Sequence, residues 1–251
     1  MPPIQNPKAA PQTKIQNLKR RLVEGIQVIT GEGVLSGSGH LSARIPGTET
    51  FLIHPRFAGV LADPKDICTV TFDGKRIAGK GPIPSESPIH AALYRARPDV
   101  GSVIHCHARY SILVGLLDKG LIPFNREARI FADGVPVFHD SRGINDFALA
   151  RRMVENLGPH WATFLRGHGI VVVGQNLPEV LFAALVLEDD AKKTLQAAAL
   201  GEVGTISREE CKTFGAEIAL ERRAQRAWNY FCSLEAKWDK QASTGRSELF
   251  P

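Results

Sequence analysis

The sequence has no apolar run long enough to cross a lipid bilayer. Its longest apolar run, at 177–187, contains Pro178 and Glu179 and is too short to span the hydrocarbon core. No basic stretch leads into an apolar segment near residue 1, so we expect no secretory signal. These absences argue against a membrane protein or a secreted protein and predict a cytoplasmic one.

Cysteine is also scarce, because the 251 residues include only four, far apart and without a CxxC pair. Such spacing predicts reduced, mostly buried thiols rather than a disulfide framework. With 43% hydrophobic and 23% charged residues, the composition is that of a globular protein and excludes a low-complexity chain.

Acidic residues are missing from the first 21 positions, which contain five Lys and Arg residues. Those five account for the whole formal net charge of +5, so the rest of the chain is neutral overall. A basic leader on a neutral body does not suggest a nucleic-acid partner. We expect 1–11, with four prolines, to be a flexible leader, 12–240 one domain and 241–251 a tail.

Hydrophobic periodicity and turn residues alternate between helical and strand patterns along the domain. Helices are predicted at 15–29, 85–97, 109–117, 146–157, 178–200 and 207–238, and strands at 41–45, 51–53, 67–72, 75–78, 103–107, 162–165 and 170–173. Strands lie between helices and several hairpin signals occur, so we predict a single α/β domain. Its central sheet should be mixed, mostly antiparallel and flanked by helices.

Three histidines form a candidate metal site. His105 and His107 are two apart in a predicted strand, so both side chains should project from the same face. His168 lies between two glycines, which permit a tight turn between the next strands. Three imidazoles with an open position suit catalytic Zn²⁺ and other divalent ions. The alternative for His105 and His107 is a chance pair on a solvated strand face. The alternative for His168 is an incidental residue at the tip of a surface hairpin.

Glu86 is a fourth candidate, near the start of a helix for which Ser85 is the predicted N-cap. A carboxylate there is favoured by the helix dipole without any further role. The functional alternative is a metal ligand or a general acid and base beside the ion.

The segment PSESPIHAALYRARPDVGSVIHCH at 84–107, with LRGHGIVVVG at 165–174, resembles the class II aldolase/adducin family. GEGVLSGSGHLSARIP at 31–46 resembles that family's N-terminal substrate loop, and the similarity covers about residues 15–200. It implies a class II aldolase-like α/β subunit, usually assembled as a homotetramer with sites at subunit interfaces.

By this resemblance, His105, His107 and His168 match the family's metal ligands, with Zn²⁺ or Mn²⁺ as the expected cofactor. Glu86 matches its catalytic glutamate. The adducin branch, a cytoskeletal non-enzyme, lacks these histidines, so their presence favours an enzyme over an interaction module.

The chain departs from the sugar-phosphate members of the family in its substrate loops. Histidine and arginine replace the small residues that would wrap a phosphate, and one serine remains of the usual pair before the glutamate. Arginine pairs bidentately with carboxylates, so we expect a carboxylate substrate without phosphate, although Arg56 could be an ordinary surface residue. The predicted substrate-binding residues are His40, Ser42, His54, Arg56 and Ser85.

With FGAE at 214–217 and RAW at 226–228, the pattern is most similar to the family's decarboxylase branch. It implies a metal-dependent, non-oxidative decarboxylase of a hydroxylated aromatic or heteroaromatic carboxylic acid, with carbon–carbon cleavage through a metal-stabilised enolate. The alternative is a metal-dependent aldolase for an unphosphorylated hydroxy-keto acid. Tyr94, Tyr110 or a C-terminal tyrosine would then protonate the alkoxide. Trp228 and Tyr230 could cover an aromatic ring in a neighbouring subunit or simply pack.

Overall fold

The computed structural model describes residues 12–56, 61–117, 121, 123, 125–214 and 220–245. The predicted leader at 1–11 and the last part of the predicted tail, 246–251, lie outside these residues. The last helix continues to Gly245, so the first part of that tail is helical. The limits at 12 and 240 stay predictions.

The sequence predicted a central sheet, and the described residues contain one. It has eight strands, one more than the sequence predicted. Its strands are β1 (His40–Arg44), β2 (Thr50–Ile53), β3 (Cys68–Thr71), β4 (Arg76–Ala78), β5 (Ser102–Cys106), β6 (Val137–Phe138), β7 (Ala162–Leu165) and β8 (Gly169–Gly174). Their order is β4-β3-β2-β1-β5-β8-β7-β6. All neighbours pair antiparallel except β6 and β7, which pair parallel.

Helices cover both faces of the sheet. They are α1 (Gln12–Gly31), α2 (Ser87–Ala96), α3 (Arg109–Val114), α4 (Phe147–Leu157), α5 (Leu177–Ala198), α6 (Arg208–Phe214) and α7 (Leu220–Gly245), with a 3₁₀ helix at Arg126–Phe131. None of the helices in the described ranges has the length and apolarity needed to cross a membrane.

Strand alternation divides the core into two layers. Ile104 and Cys106 of β5 belong to the apolar cluster that includes residues of α1, α5 and α7. Val103 belongs to the cluster that includes residues of α2 and α4. His105 is in phase with Val103, so the buried His105 side chain lies on the face of the sheet covered by α2.

One local prediction needs correction. Ser85 is not the N-cap of α2: that position is Glu86, which makes no side-chain capping bond, and Ser85 is exposed. The carboxylate of Glu86 instead accepts a hydrogen bond from the Ile144 N–H. The single helix predicted at 207–238 is described as α6 and α7, with 215–219 outside the described residues. The sequence analysis also gave no sign of the 3₁₀ helix or of the two-residue strand β6.

The cysteine prediction is confirmed, since none of the four, all within the described residues, forms a disulfide. Three of them are buried and Cys232 is half-buried.

Helix α4, which packs on α2, begins with a side-chain cap. The exposed Asp146 accepts a hydrogen bond of 2.8 Å from the Leu149 N–H. Asp146→Ala should therefore lower the free energy of unfolding by about 1 kcal/mol. Urea unfolding measures the change, and Asp146→Asn, which can cap equally well, is the control. Equal destabilisation by both variants would contradict the capping role.

Candidate metal centre

Four side chains from separate parts of the sequence converge at the end of β5. One ligand atom each from Glu86, His105, His107 and His168 can be chosen so that all four lie within 4.8 Å of one another. The centroids of the three imidazole rings are 5.0–5.1 Å apart. The structure therefore brings together the three predicted metal ligands and the predicted catalytic glutamate, and this group could hold a metal ion.

The pairing of β5 with β8 sets the histidines side by side. Cys106 lies opposite Ile170, so the turn that contains His168 returns beside His107, which follows β5 directly. Gly169 is required here, because a Cβ at this position would overlap the backbone carbonyl of Cys106. The glycine thus lets the two strands approach closely enough for the imidazoles to meet.

Glu86 enters from the other direction, at the N-terminus of α2. Its Oε1 accepts a hydrogen bond of 2.7 Å from the Ile144 N–H and lies 3.6 Å from His168 Nε2. Its Oε2 lies 3.2 Å from His105 Nε2. Burial acts to raise the pKa of Glu86, but the nearby imidazoles of His105 and His168 and the hydrogen bond from the Ile144 N–H outweigh it and hold the pKa well below its ordinary value. Glu86 is therefore a carboxylate.

The donor set fits a divalent cation. His105 Nδ1 lies 3.0 Å from the Ile170 carbonyl oxygen, which can only accept, so this nitrogen carries the hydrogen in the neutral ring. The lone pair on Nε2 then faces the Glu86 carboxylate. Two electron-pair donors at this separation repel each other unless a proton or a cation lies between them, and imidazole nitrogens with a carboxylate oxygen suit Zn²⁺, Mn²⁺ and related ions.

Burial also favours the unprotonated form of His107, which is the form that binds a metal. His107 is half-buried, and this burial, with His105 and His168 nearby, lowers its pKa to about 4 in spite of the opposing effect of Glu86. A histidine binds a metal only in its unprotonated form, so this ligand is ready at neutral pH.

The predicted substrate residues occupy different surroundings. His40 lies opposite His105 in the β1–β5 pairing, with ring centroids 5.0 Å apart, and is 2% exposed. His54 is equally buried, and its Nδ1 donates to the Pro55 carbonyl while Nε2 has no hydrogen-bond partner among the described residues. Arg56 is exposed, and its backbone N–H donates to the Pro82 carbonyl on the segment that leads to Glu86.

Ser42, by contrast, points into the interior. It is fully buried, and its hydroxyl lies 2.6 Å from both His90 Nδ1 and Tyr94 Oη. Sequence reasoning missed His90, whose Nε2 lies 2.6 Å from His40 Nδ1. A signal was available, because Glu86, His90 and Tyr94 follow one another at steps of four along α2 and so share one helix face.

The aromatic candidates are also placed. Tyr94 is 1% exposed, and burial raises its pKa above the ordinary value, so its hydroxyl stays protonated. Tyr110 is the second residue of α3, and its N–H donates to Glu188. Trp228 is a core residue, with Arg21 stacked 5.1 Å from the ring centroid, whereas Tyr230 is 58% exposed.

Comparison with known proteins identifies the family. The model of the class II aldolase and adducin N-terminal domain matches residues 21–195, so the chain belongs to this family. A 3,4-dihydroxyphthalate decarboxylase from Rhodococcus jostii is 29% identical, over 76% of this chain and 84% of that protein. An L-fuculose phosphate aldolase from Methanococcus vannielii is 35% identical, over 51% of this chain and 68% of that protein.

Solved structures show the same fold. An aldolase II superfamily protein from Pseudomonas syringae matches with a TM-score of 0.78 and 24% identity, over 91% of this chain and 94% of the other. An L-fuculose 1-phosphate aldolase from Glaciozyma antarctica matches with a TM-score of 0.79 and 23% identity, over 96% and 95%. With family relatives that are decarboxylases and aldolases, the chain is an enzyme of the lyase class.

Replacement of His107 by Ala should remove zinc binding, because it deletes one of the three predicted nitrogen ligands. The affinity should fall by more than about 100-fold, beyond the usual cost of losing a supporting residue around a metal. Zinc titration by calorimetry, with the metal content after dialysis, measures it. His160→Ala is the control, since His160 Nδ1 bonds to the Gly134 carbonyl instead. Zinc affinity equal to that of the wild type would overturn the site.

The buried imidazoles should also make folding sensitive to acid. Burial lowers the pKa of His54 below 6.5, against a smaller opposing effect of the Pro55 hydrogen bond. The unfolded chain then binds more protons below pH 6.5, so this contribution to stability is complete above pH 6.5 and is lost as the pH falls towards the folded-state pKa. The free energy of unfolding of metal-free protein should thus decrease from pH 7 to pH 5.

The matched variant for this prediction is His54→Gln, which cannot titrate. Urea unfolding at several pH values should give a shallower decrease for the variant than for the wild type. Parallel curves for the two proteins would show that His54 is not held neutral by the fold.

Proposed function

We propose that this lyase is a metal-dependent, non-oxidative decarboxylase of a hydroxylated aromatic or heteroaromatic carboxylic acid. The observation that carries the proposal is the ionised Glu86 beside three clustered imidazoles, with further buried imidazoles at the loops where a phosphate would bind. The dihydroxyphthalate decarboxylases among the relatives support this substrate class.

His105, His107 and His168 would hold the divalent cation, Zn²⁺ or Mn²⁺. When bound, the cation acts as a Lewis acid that stabilises negative charge on the substrate oxygens.

Glu86 is the proton carrier of this scheme. It takes the proton of the ring hydroxyl and delivers it to the ring carbon that bears the carboxylate, which converts the phenol into its ketone tautomer. The bond between that carbon and the carboxylate then breaks, carbon dioxide leaves and the electron pair returns through the ring to the oxygen. The Ile144 N–H holds the carboxylate in place beside the imidazoles.

The substrate is oriented by the residues around this group. His54 Nε2 is a bare, buried acceptor that suits a second ring hydroxyl, since Nδ1 already donates to Pro55. Arg56 and Ser85 are both exposed. We propose that they bind the second carboxylate of a dicarboxylic substrate, the one that is not lost as carbon dioxide. Fixed partners of this kind lower the reorganisation needed in the transition state.

We also propose a homotetramer in the cytoplasm. Leu113, Leu116 and Leu117 are each about half exposed at the end of α3. Leu116 lies beside Gly167, next to His168, so a neighbouring subunit that covers these leucines would border the site.

An aldolase remains the second candidate, supported by the fuculose phosphate aldolase relative. It would use the same four residues. Tyr94 does not suit the role of proton donor to a leaving alkoxide, because its hydroxyl is buried and bonded to Ser42.

The test is carbon dioxide release from a panel of ortho-hydroxyaryl and hydroxypyridine carboxylates by the zinc-loaded or manganese-loaded enzyme. His105→Ala should lose metal and turnover together. Glu86→Gln should keep metal on the three imidazoles but lower kcat by about 100-fold or more. No carbon dioxide from any compound, with an aldehyde released from a hydroxy-keto acid, would favour the aldolase.

A further inference from the structure

A chain of buried hydrogen bonds connects the interior of α2 to the metal centre. It runs from Tyr94 through Ser42 and His90 to His40, and each link is 2.6 Å long. All four side chains are 0–2% exposed. A polar group buried to this degree is costly unless it is hydrogen-bonded, so the direction of each link matters.

The direction of the chain follows from its buried end. Tyr94 is protonated, and its hydroxyl hydrogen needs an acceptor. Tyr94 therefore donates to Ser42 Oγ, the acceptor that the described residues offer at 2.6 Å.

The remaining links then have one arrangement. Ser42 accepts from Tyr94, so its own hydrogen goes to His90 Nδ1. A neutral imidazole carries one hydrogen, which in His90 must be on Nε2, and this hydrogen is donated to His40 Nδ1. His40 Nδ1 accepts this hydrogen, so the single hydrogen of the neutral His40 ring is on Nε2. The opposite direction would leave the Tyr94 hydrogen buried without an acceptor, which is costly.

We propose that His90 is a positioning residue that fixes His40 as the Nε2–H tautomer, a hydrogen-bond donor beside the metal centre. Nε2 of His40 makes no hydrogen bond within the described part of the chain, and its ring lies 5.0 Å from that of His105. Such a donor suits an anionic oxygen of the substrate and rejects a group that can only donate. This extension rests on the proposed function for the identity of the anion, but the tautomer itself does not.

Packing holds the positioning residue in place. The ring of His90 is stacked on Phe51 with centroids 6.1 Å apart, and the Phe51 ring contacts Tyr94. With Nδ1 and Nε2 both engaged, His90 can neither rotate nor change its tautomer unless the whole chain of hydrogen bonds reverses.

The first experiment observes the tautomer directly. Nitrogen-15 solid-state NMR of zinc-loaded, histidine-labelled protein distinguishes a protonated from a bare ring nitrogen, and the His40 signals are those that disappear in His40→Gln. We expect His40 in the Nε2–H form in the wild type. In Tyr94→Phe, the Ser42 hydroxyl is free to turn, so the Nδ1–H form should appear as well.

His90→Gln should produce the same change, and the isosteric Tyr94→Phe keeps the test open if His90→Gln does not fold. Tyr110→Phe makes the same chemical change at a residue outside this chain of hydrogen bonds and should leave the His40 signals unchanged. The Nδ1–H form in the wild type, or an unchanged spectrum in Tyr94→Phe, would overturn the proposal.

The second experiment uses turnover. With a substrate from the carboxylate panel, Tyr94→Phe should raise KM about tenfold, the effect of one misoriented hydrogen bond to a charged group, with zinc content unchanged and a smaller change in kcat. If no carboxylate is turned over, the proposed function fails while the NMR result still decides the tautomer. An unchanged KM would remove His40 as a substrate donor.

Discussion

The close antiparallel approach of β5 to β1 on one side and to β8 on the other is the constraint on which the site depends. It places His40 opposite His105 and returns the His168 turn beside His107. A glycine at 169 makes this approach possible, since any side chain would meet the Cys106 carbonyl. The candidate metal centre is thus a consequence of strand register, and a slip of one residue would send His105 to the opposite face.

The α2 helix completes the site from above the sheet. Its N-cap is Glu86 and its turns supply His90 and Tyr94, all on the side that faces β1 and β5. One helix therefore carries both the proposed acid–base group and the support for a neighbouring imidazole. The buried polar groups are costly unless each is hydrogen-bonded, so the helix and the sheet must stay in one fixed relation.

Much of this arrangement was predictable because the signals are local. The alternation of apolar residues identified the strands, and the glycines around His168 indicated a turn. The cap of α2 was misassigned because a serine before a helix is usually its cap, whereas here Glu86 holds that position and turns its carboxylate towards two histidines and Ile144. The short strand β6 had no signal, since two residues show no periodicity.

The sequence by itself determined the layered α/β architecture, the three histidines and the glutamate, because these depend on residue type and spacing within short segments. Only the tertiary structure decided which side chains meet. It placed Ser42 in the interior, brought the unpredicted His90 against His40, and gave His105 its hydrogen-bond partner on β8. The physical reason is that contacts such as that of His40 with His90 join residues far apart in the chain, and only the folded sheet and helix bring them within hydrogen-bond distance.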